Sequence, residues 1–205
     1  MLSGDFPTLL DRWRALAGTG SDTVGRDLLA RYAEPQRRYH DARHLAEVLS
    51  ALDLLSNDRV VLLAAWFHDA VYDPRRENNE ERSATLAAEK LPRLGVPQPE
   101  VAEVTRLVRL TAGHQPAAGD RSGAALSDAD LAILGAPQPR YDDYAAAVRA
   151  EYAHVADADF AAGRAAVLRD LLGRDRLYRT ETGRERWEEP ARKNLRRELD
   201  RWRPD

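Results

Sequence analysis

The chain has 205 residues, 43% of them hydrophobic, with 31 Lys plus Arg against 34 Asp plus Glu and a net charge of −3. This is enough apolar material for one sizeable core, which argues against global disorder, and the near-balanced charge gives no electrostatic case for nucleic acid or an anionic membrane. No cysteine is present, which excludes disulfides, thiolate metal sites and a cysteine nucleophile, and the lack of an 18-residue apolar run or of a basic-then-apolar N-terminus predicts a soluble, cytoplasmic protein.

Apolar residues recur at helical spacing almost throughout. Phe6, Leu9, Leu10, Trp13 and Leu16 form a first stripe, closed by Gly18 and Gly20. Val24, Leu28 and Tyr32 form a second, with Ser21 or Asp22 as its cap and Pro35 as its stop. Leu45, Val48, Leu49, Leu52 and Leu55 form a third. The fourth, capped by Asn57 or Asp58, is the unbroken apolar run from Val60 to Phe67, which ends in the doublet His68-Asp69. That run alone is compatible with a strand, but no other segment offers strand alternation to pair with it.

Asp73-Pro74 breaks the chain, and residues 74–78 read as a polar loop. Asn78 and Glu81 have capping-box spacing and open a helix to about Leu94, ended by Gly95 and Pro97. Val101, Val104, Leu107, Val108 and Thr111 line the next helix, and residues 114–123 are a loop. A short helix follows over 125–134, stopped by Gly135 and Pro137. Tyr141, Tyr144, Val148, Tyr152 and Val155 form a long face; Phe160, Val167, Leu168, Leu171 and Leu172 form another, ended by Gly173. Trp187, Ala191, Leu195, Leu199 and Trp202 form the last. The prediction is an all-α fold, a single globular bundle of about ten helices over 1–205, with boundaries good to a few residues.

Two strong polar groups at the end of a buried segment need partners, because an unpaired imidazole or carboxylate is costly in an apolar interior. A metal ion satisfies both. The histidines are His40, His44, His68, His114 and His154. His40 and His44 are four apart and share a helix face; His44 also lies four before Val48, at the edge of the buried stripe, and so faces the core. Asp69 can lean on the same ion as His68 at a helix end, and Asp128 or Asp130 in SDADLAILG supplies a further carboxylate. Each residue has a plainer reading: a hydrogen-bonded core histidine, an Asp69–Arg pair, an Asp128 helix cap. Their combination at the end of the most apolar helix favours a site.

Taken together, His44, the doublet His68-Asp69 and Ala129-Asp130-Leu131 resemble the H…HD…D signature of HD-domain metal-dependent phosphohydrolases. HLAEVLSAL at 44–52 is similar to the opening helix of that domain, and NEERSA at 79–84 to the segment after its doublet. RRYHDARH at 37–44, LSDADLAILG at 126–135 and the tyrosine-bearing pattern at 141–152 are similar to a bacterial subgroup of predicted HD-superfamily phosphohydrolases. The resemblance covers most of the chain. It implies a metal-site core over about 37–135 and extra C-terminal helices over 139–203, packed on the core or on another subunit.

What the resemblance implies for the site is specific. His44, His68, Asp69 and Asp130 would ligate a divalent ion (Mn, Fe, Co, Ni, Zn or Mg), with Asp130 preferred to Asp128 because it holds the ADxL position. Dinuclear relatives use two extra histidines between the doublet and the last Asp; only His114 lies there, which implies one ion per chain. The activity implied is hydrolysis of a phosphate ester or anhydride of a small molecule such as a nucleotide by metal-activated water. Asp69, His114 and Glu81, with its neighbour Glu80, are the catalytic candidates, against a plainer reading of the glutamates as helix N-terminal charges. Arg37 and Arg43, flanking the first histidine with Arg38, can hold a phosphate bidentately, or be solvated surface arginines. His40 is a substrate-side or supporting residue, or simply polar. His154 reads as surface. Two other readings stand beside this one: a non-catalytic binding module of the same fold, and a di-iron oxygenase, which the missing second histidine disfavours.

Overall fold

The apolar stripes become helices because each can bury its stripe only against another. In a computed structural model that describes residues 5–202, with side chains from residue 9 onward, no strand is present. The stripe residue Phe6 and the expected helix end at 203 lie outside the described side chains and residues. In order, the helices are α1 (Asp5–Ala17), α2 (Asp22–Tyr32), α3 (Ala42–Leu55), α4 (Arg59–Phe67), α5 (Asn79–Lys90), α6 (Gln98–Leu110), α7 (Arg121–Asp130), α8 (Gln138–Glu151), α9 (Asp157–Gly173), α10 (Glu181–Gly183) and α11 (Glu189–Arg201). A π turn, Arg184–Glu188, joins the last two into one run. No described helix is long and apolar enough to cross a membrane.

The first core is built around α4. Leu63, Ala64, Ala65 and Phe67 are completely buried and Trp66 nearly so. Leu63 and Phe67 each contribute roughly 1.5–3 kcal/mol by leaving water. The Trp66 ring meets Trp13 of α1 edge-on, with centroids 5.2 Å apart. Trp13 in turn lies so close to Gly25 of α2 that any side chain there would collide with its indole. Helices α3, α5, α6 and α7 complete this core.

A second core joins Tyr141, Tyr144 and Val148 of α8 to Phe160 and Leu168 of α9, Tyr178, and Ala191 and Leu195 of α11. Tyr39, from the loop before α3, belongs to it, and Trp187 packs against both cores. The C-terminal helices therefore cover the chain's own core, at the seam where α3 begins and α4 and α7 end.

Several boundaries are set by side chains that periodicity does not report. Asp58, not Asn57, caps α4 through the Val60 N–H. The Ser21 hydroxyl donates to the Gly18 carbonyl and caps nothing. The capping box expected from Asn78 and Glu81 does not form. Instead Asn79 accepts from the Asp73 N–H and donates to the Asp73 and Arg76 carbonyls, closing the loop on itself. Helix α7 starts at Arg121, earlier than its apolar stripe, because the Asp120 carboxylate accepts the Gly123 N–H. It gives way to a 3-10 turn at Leu131–Gly135.

Candidate metal centre

The site starts with the first turn of α3. The Asp41 carboxylate accepts the Arg43 and His44 N–H groups at 2.9 and 3.2 Å, which fixes that turn. His44, buried, then points inward. Helix α4 ends at Phe67, and the Ala70 N–H turns back onto the Phe67 carbonyl. The doublet therefore leaves the regular helix, where neighbours diverge by about 100°, and both side chains face one point.

Arg37 holds that turn. Its guanidinium is fully buried and donates to the carbonyls of Asp69 (2.7 Å), Ala70 (3.2 Å) and His40 (2.8 Å). With its Nε directed at Glu34, it has no face left for a phosphate. The expectation of a substrate-binding Arg37 is corrected: it is a clamp between the loop before α3 and the end of α4.

Four ligating atoms converge. His44 Nε2 lies 3.1 Å from His68 Nε2, 3.0 Å from Asp130 Oδ1 and 3.4 Å from Asp69 Oδ2. His68 Nε2 lies 3.2 Å from Asp69 Oδ2 and 3.5 Å from Asp130 Oδ1. Ligands bound at about 2.0–2.2 Å to one ion stand about 3.0 Å apart when cis and about 3.4 Å apart in a tetrahedron. The spacing therefore fits a metal. The protonation fits as well. His68 Nδ1 is 2.8 Å from the Ala65 carbonyl, which can only accept, so Nδ1 carries a hydrogen and Nε2 is the ring nitrogen turned to the cluster. The group His44, His68 and Asp130, with ligating atoms all within 4.8 Å, is thus able to hold a metal ion.

The electrostatics describe two carboxylates balanced by two imidazoles. Burial works to lower the His44 pKa, but hydrogen bonds to Asp130 and Asp69 outweigh it and raise the group to about 9. His68 is raised well above its ordinary value against the same burial, chiefly by the Asp69 charge. Asp69 and Asp130 are held well below the usual carboxylate range, burial notwithstanding, with the His68 charge first among the causes. Two anions at one buried point are stabilised here by the imidazole charges and by the hydrogen bonds that His44, His68 and His114 make to them.

His114 reaches the same carboxylate. Its backbone, with φ 52°, takes the left-handed conformation that closes α6, and its N–H bonds the Leu110 carbonyl. This turn brings Nε2 to 2.7 Å from Asp130 Oδ2, leaving Oδ1 beside the two imidazoles. A cavity of about 160 Å³ opens over the cluster, lined by Asp69, Asp130, His114, His40, Glu80 and Tyr39 among others. The Tyr39 hydroxyl is buried and has no partner among the described residues.

Glu151, at the end of α8, supports the site and was not singled out by motif. Its Oε1 accepts the consecutive N–H groups of Arg38, Tyr39 and His40, and its Oε2 accepts from Tyr72 and pairs with His40 Nδ1 at 2.7 Å. Burial works to raise its pKa; the His40 hydrogen bond and charge and the backbone donors overcome this and bring it to about 2. His40 stacks on Tyr72 at 4.0 Å and so presents a fixed face to the cavity. A signal did exist in the sequence, since position 151 is three beyond Val148, on the buried face of α8.

The remaining candidates lie elsewhere. Glu81 is exposed and bound through both oxygens by Arg109, so the expected catalytic role is corrected; its neighbour Glu80 lines the cavity. Arg43 is exposed and directed at Glu47, on a second groove of about 500 Å³ that shares His44 and Asp130 with the cluster and also includes Arg140 and Trp187. Asp128 is buried on the other face of α7, accepting from the Arg179 and Thr180 N–H groups and the Thr180 hydroxyl. Burial, partly offset by these donors, raises its pKa. His154 is exposed, beside Tyr152. Comparisons with known proteins add nothing to this geometry: no family model matches the chain, and neither a curated protein nor a solved structure matches it significantly.

Proposed function

We propose that the protein is a metal-dependent phosphohydrolase of the HD-domain type acting on a small phosphorylated molecule such as a nucleotide. The observation that carries the reading is the convergence of His44, His68, Asp69 and Asp130 beneath an open cavity. A divalent ion bound there would polarise a phosphoryl oxygen and lower the pKa of a water molecule. The chain's own residues supply the rest. Asp69, lining the cavity, orients the attacking water by accepting its hydrogen bond. Asp130 is held in place by His114. His114 and His40 both line the cavity, and each offers an imidazole to protonate a departing oxygen. The unpartnered Tyr39 hydroxyl is free to donate to a phosphoryl oxygen.

A second reading, a binding module without turnover, is favoured by one observation. Among the described residues that line the small cavity there is no Lys or Arg, so within it only metal and imidazoles offset a phosphate's charge; two arginines, Arg43 and Arg140, lie on the second groove at His44 and Asp130. The experiment that decides is a screen of phosphate mono- and diesters and nucleotides with Mn, Co, Ni, Zn and Mg, wild type beside Asp69→Asn. The phosphohydrolase reading expects phosphate release lost in the variant. Saturable ligand binding with no release under any metal would replace it with the second reading.

A further inference from the structure

The chain uses its arginines mostly in pairs. Arg12 binds Asp53, Arg106 binds Glu103 and Asp120, and Arg164 binds Glu198. Four others do not. Arg121, Arg176, Arg179 and Arg184 line a single cavity of about 380 Å³, and none forms an ion pair among the described residues. Arg121 comes from the first turn of α7, on one wall with the loop at 116–120. The other three come from the segment that leads from α9 into the final helical run. The cluster is local, since the whole chain carries a net charge of −3.

The acid that lines it and the buried acid beside it are engaged. Asp120 is the one carboxylate in the lining, and it is held by Arg106 while it caps α7. The buried Asp128 feels the Arg184 charge, but its oxygens are taken by Arg179 N, Thr180 N and Thr180 Oγ1. Those bonds fix the backbone beneath Arg179, so the segment that presents the guanidiniums is anchored. Arg184 spends one nitrogen on the Arg179 carbonyl, which fixes its position. Several guanidiniums brought together without counter-charge repel one another, and a multiply charged anion relieves this with bidentate hydrogen bonds.

We propose that this cavity is an anion site for a compound carrying two or more adjacent phosphoryl groups, separate from the metal centre. Arg121 and Asp130 stand at opposite ends of α7, nine residues and about 13 Å apart along the helix axis, so one phosphoryl group does not serve both. The loop at 116–120 that forms one wall begins just after His114, which bonds Asp130. The anion therefore braces the loop behind that histidine.

The test is calorimetric titration of the metal-free protein with inorganic tripolyphosphate. The expected result is saturable binding of one tripolyphosphate per chain that weakens with added salt. Arg121→Ala/Arg179→Ala removes one exposed guanidinium from each wall and is expected to weaken binding at least tenfold, with the helical circular dichroism unchanged. Should that variant not fold, Arg176→Ala gives the same readout from a side chain with no hydrogen bond of its own. Asp130→Asn is expected to bind as the wild type does. A nucleoside triphosphate that binds equally well supports recognition of the phosphate chain alone; tighter binding, lost in the same double variant, supports a nucleotide as the source. No saturable binding at millimolar concentration, unchanged affinity in the folded arginine variants, or loss of binding in Asp130→Asn would overturn the proposal.

Discussion

At His68 one main-chain contact decides what the side chain can do. The Ala65 carbonyl takes the Nδ1 hydrogen and leaves Nε2 as the nitrogen that faces the cluster. His114 acts one bond further out, on Asp130 Oδ2. His114→Asn is expected to leave the fold intact and to lower turnover by about 100-fold or more, the scale of a lost general acid. Unchanged kinetics in that variant would assign His114 a structural role only. Glu81→Ala, by contrast, removes only a solvent-screened surface pair with Arg109 and is expected to leave turnover unchanged. Single residues were partly legible in the sequence. Asp128 and Asp130 are two apart and cannot share a helix face, which made them alternatives, and the structure divides them between a buried cap and the cluster. Glu80 and Glu81 are adjacent at a helix start, where nothing in the sequence says which one faces inward. Arg37 looked like any of many arginines, because the three carbonyls it serves belong to turns that periodicity does not describe.

At the scale of elements, the apolar stripes gave the helices their order and faces, and the side-chain caps gave them their ends. Asp120 and Asn79 moved boundaries because their hydrogen bonds close turns that hydrophobic spacing cannot encode. Two clamps tie the loop at 37–40 to its surroundings. Arg37 binds it to the end of α4, and Glu151 binds it to α8. Replacing Arg37 by Met leaves three buried carbonyls without their donor; a cost of about 2–4 kcal/mol is expected in chemical denaturation, together with weakened metal binding. Glu151 has a folded pKa of about 2 against 4.5 for the free group. A depressed carboxylate stabilises the fold above its unfolded pKa, so its contribution, on the order of 3 kcal/mol, is complete above about pH 4.5 and is lost as the pH falls towards 2. Glu151→Gln is expected to be less stable at neutral pH and to show a flatter acid limb between those values. An acid limb identical to the wild type would remove Glu151 from this role.

For the whole molecule, the informative feature is the seam. The first core presents the start of α3 and the ends of α4 and α7; the second core, through Tyr39, Tyr144 and the final helices, roofs them. The sequence showed that the C-terminal helices are amphipathic but not what they cover, since that depends on contacts between residues a hundred or more positions apart, such as Tyr39 with Tyr144. Trp187 packs, partly buried, on both cores, and Trp187→Ala is expected to cost less than the roughly 3–5 kcal/mol of a fully buried tryptophan, read as a lower midpoint of a single cooperative transition. Two separate transitions in the wild type would contradict the continuity of the seam.

The central claim is that the His44–His68–Asp69–Asp130 cluster is a metal centre, and elemental analysis of protein purified without a chelating column addresses it most directly. After equilibration with Mn, Co, Ni or Zn and removal of free ion, the wild type is expected to retain about one divalent ion per chain, and His68→Ala none. Wild-type protein that retains no metal under any of these conditions, or a folded His68→Ala chain that retains as much as the wild type, would contradict it.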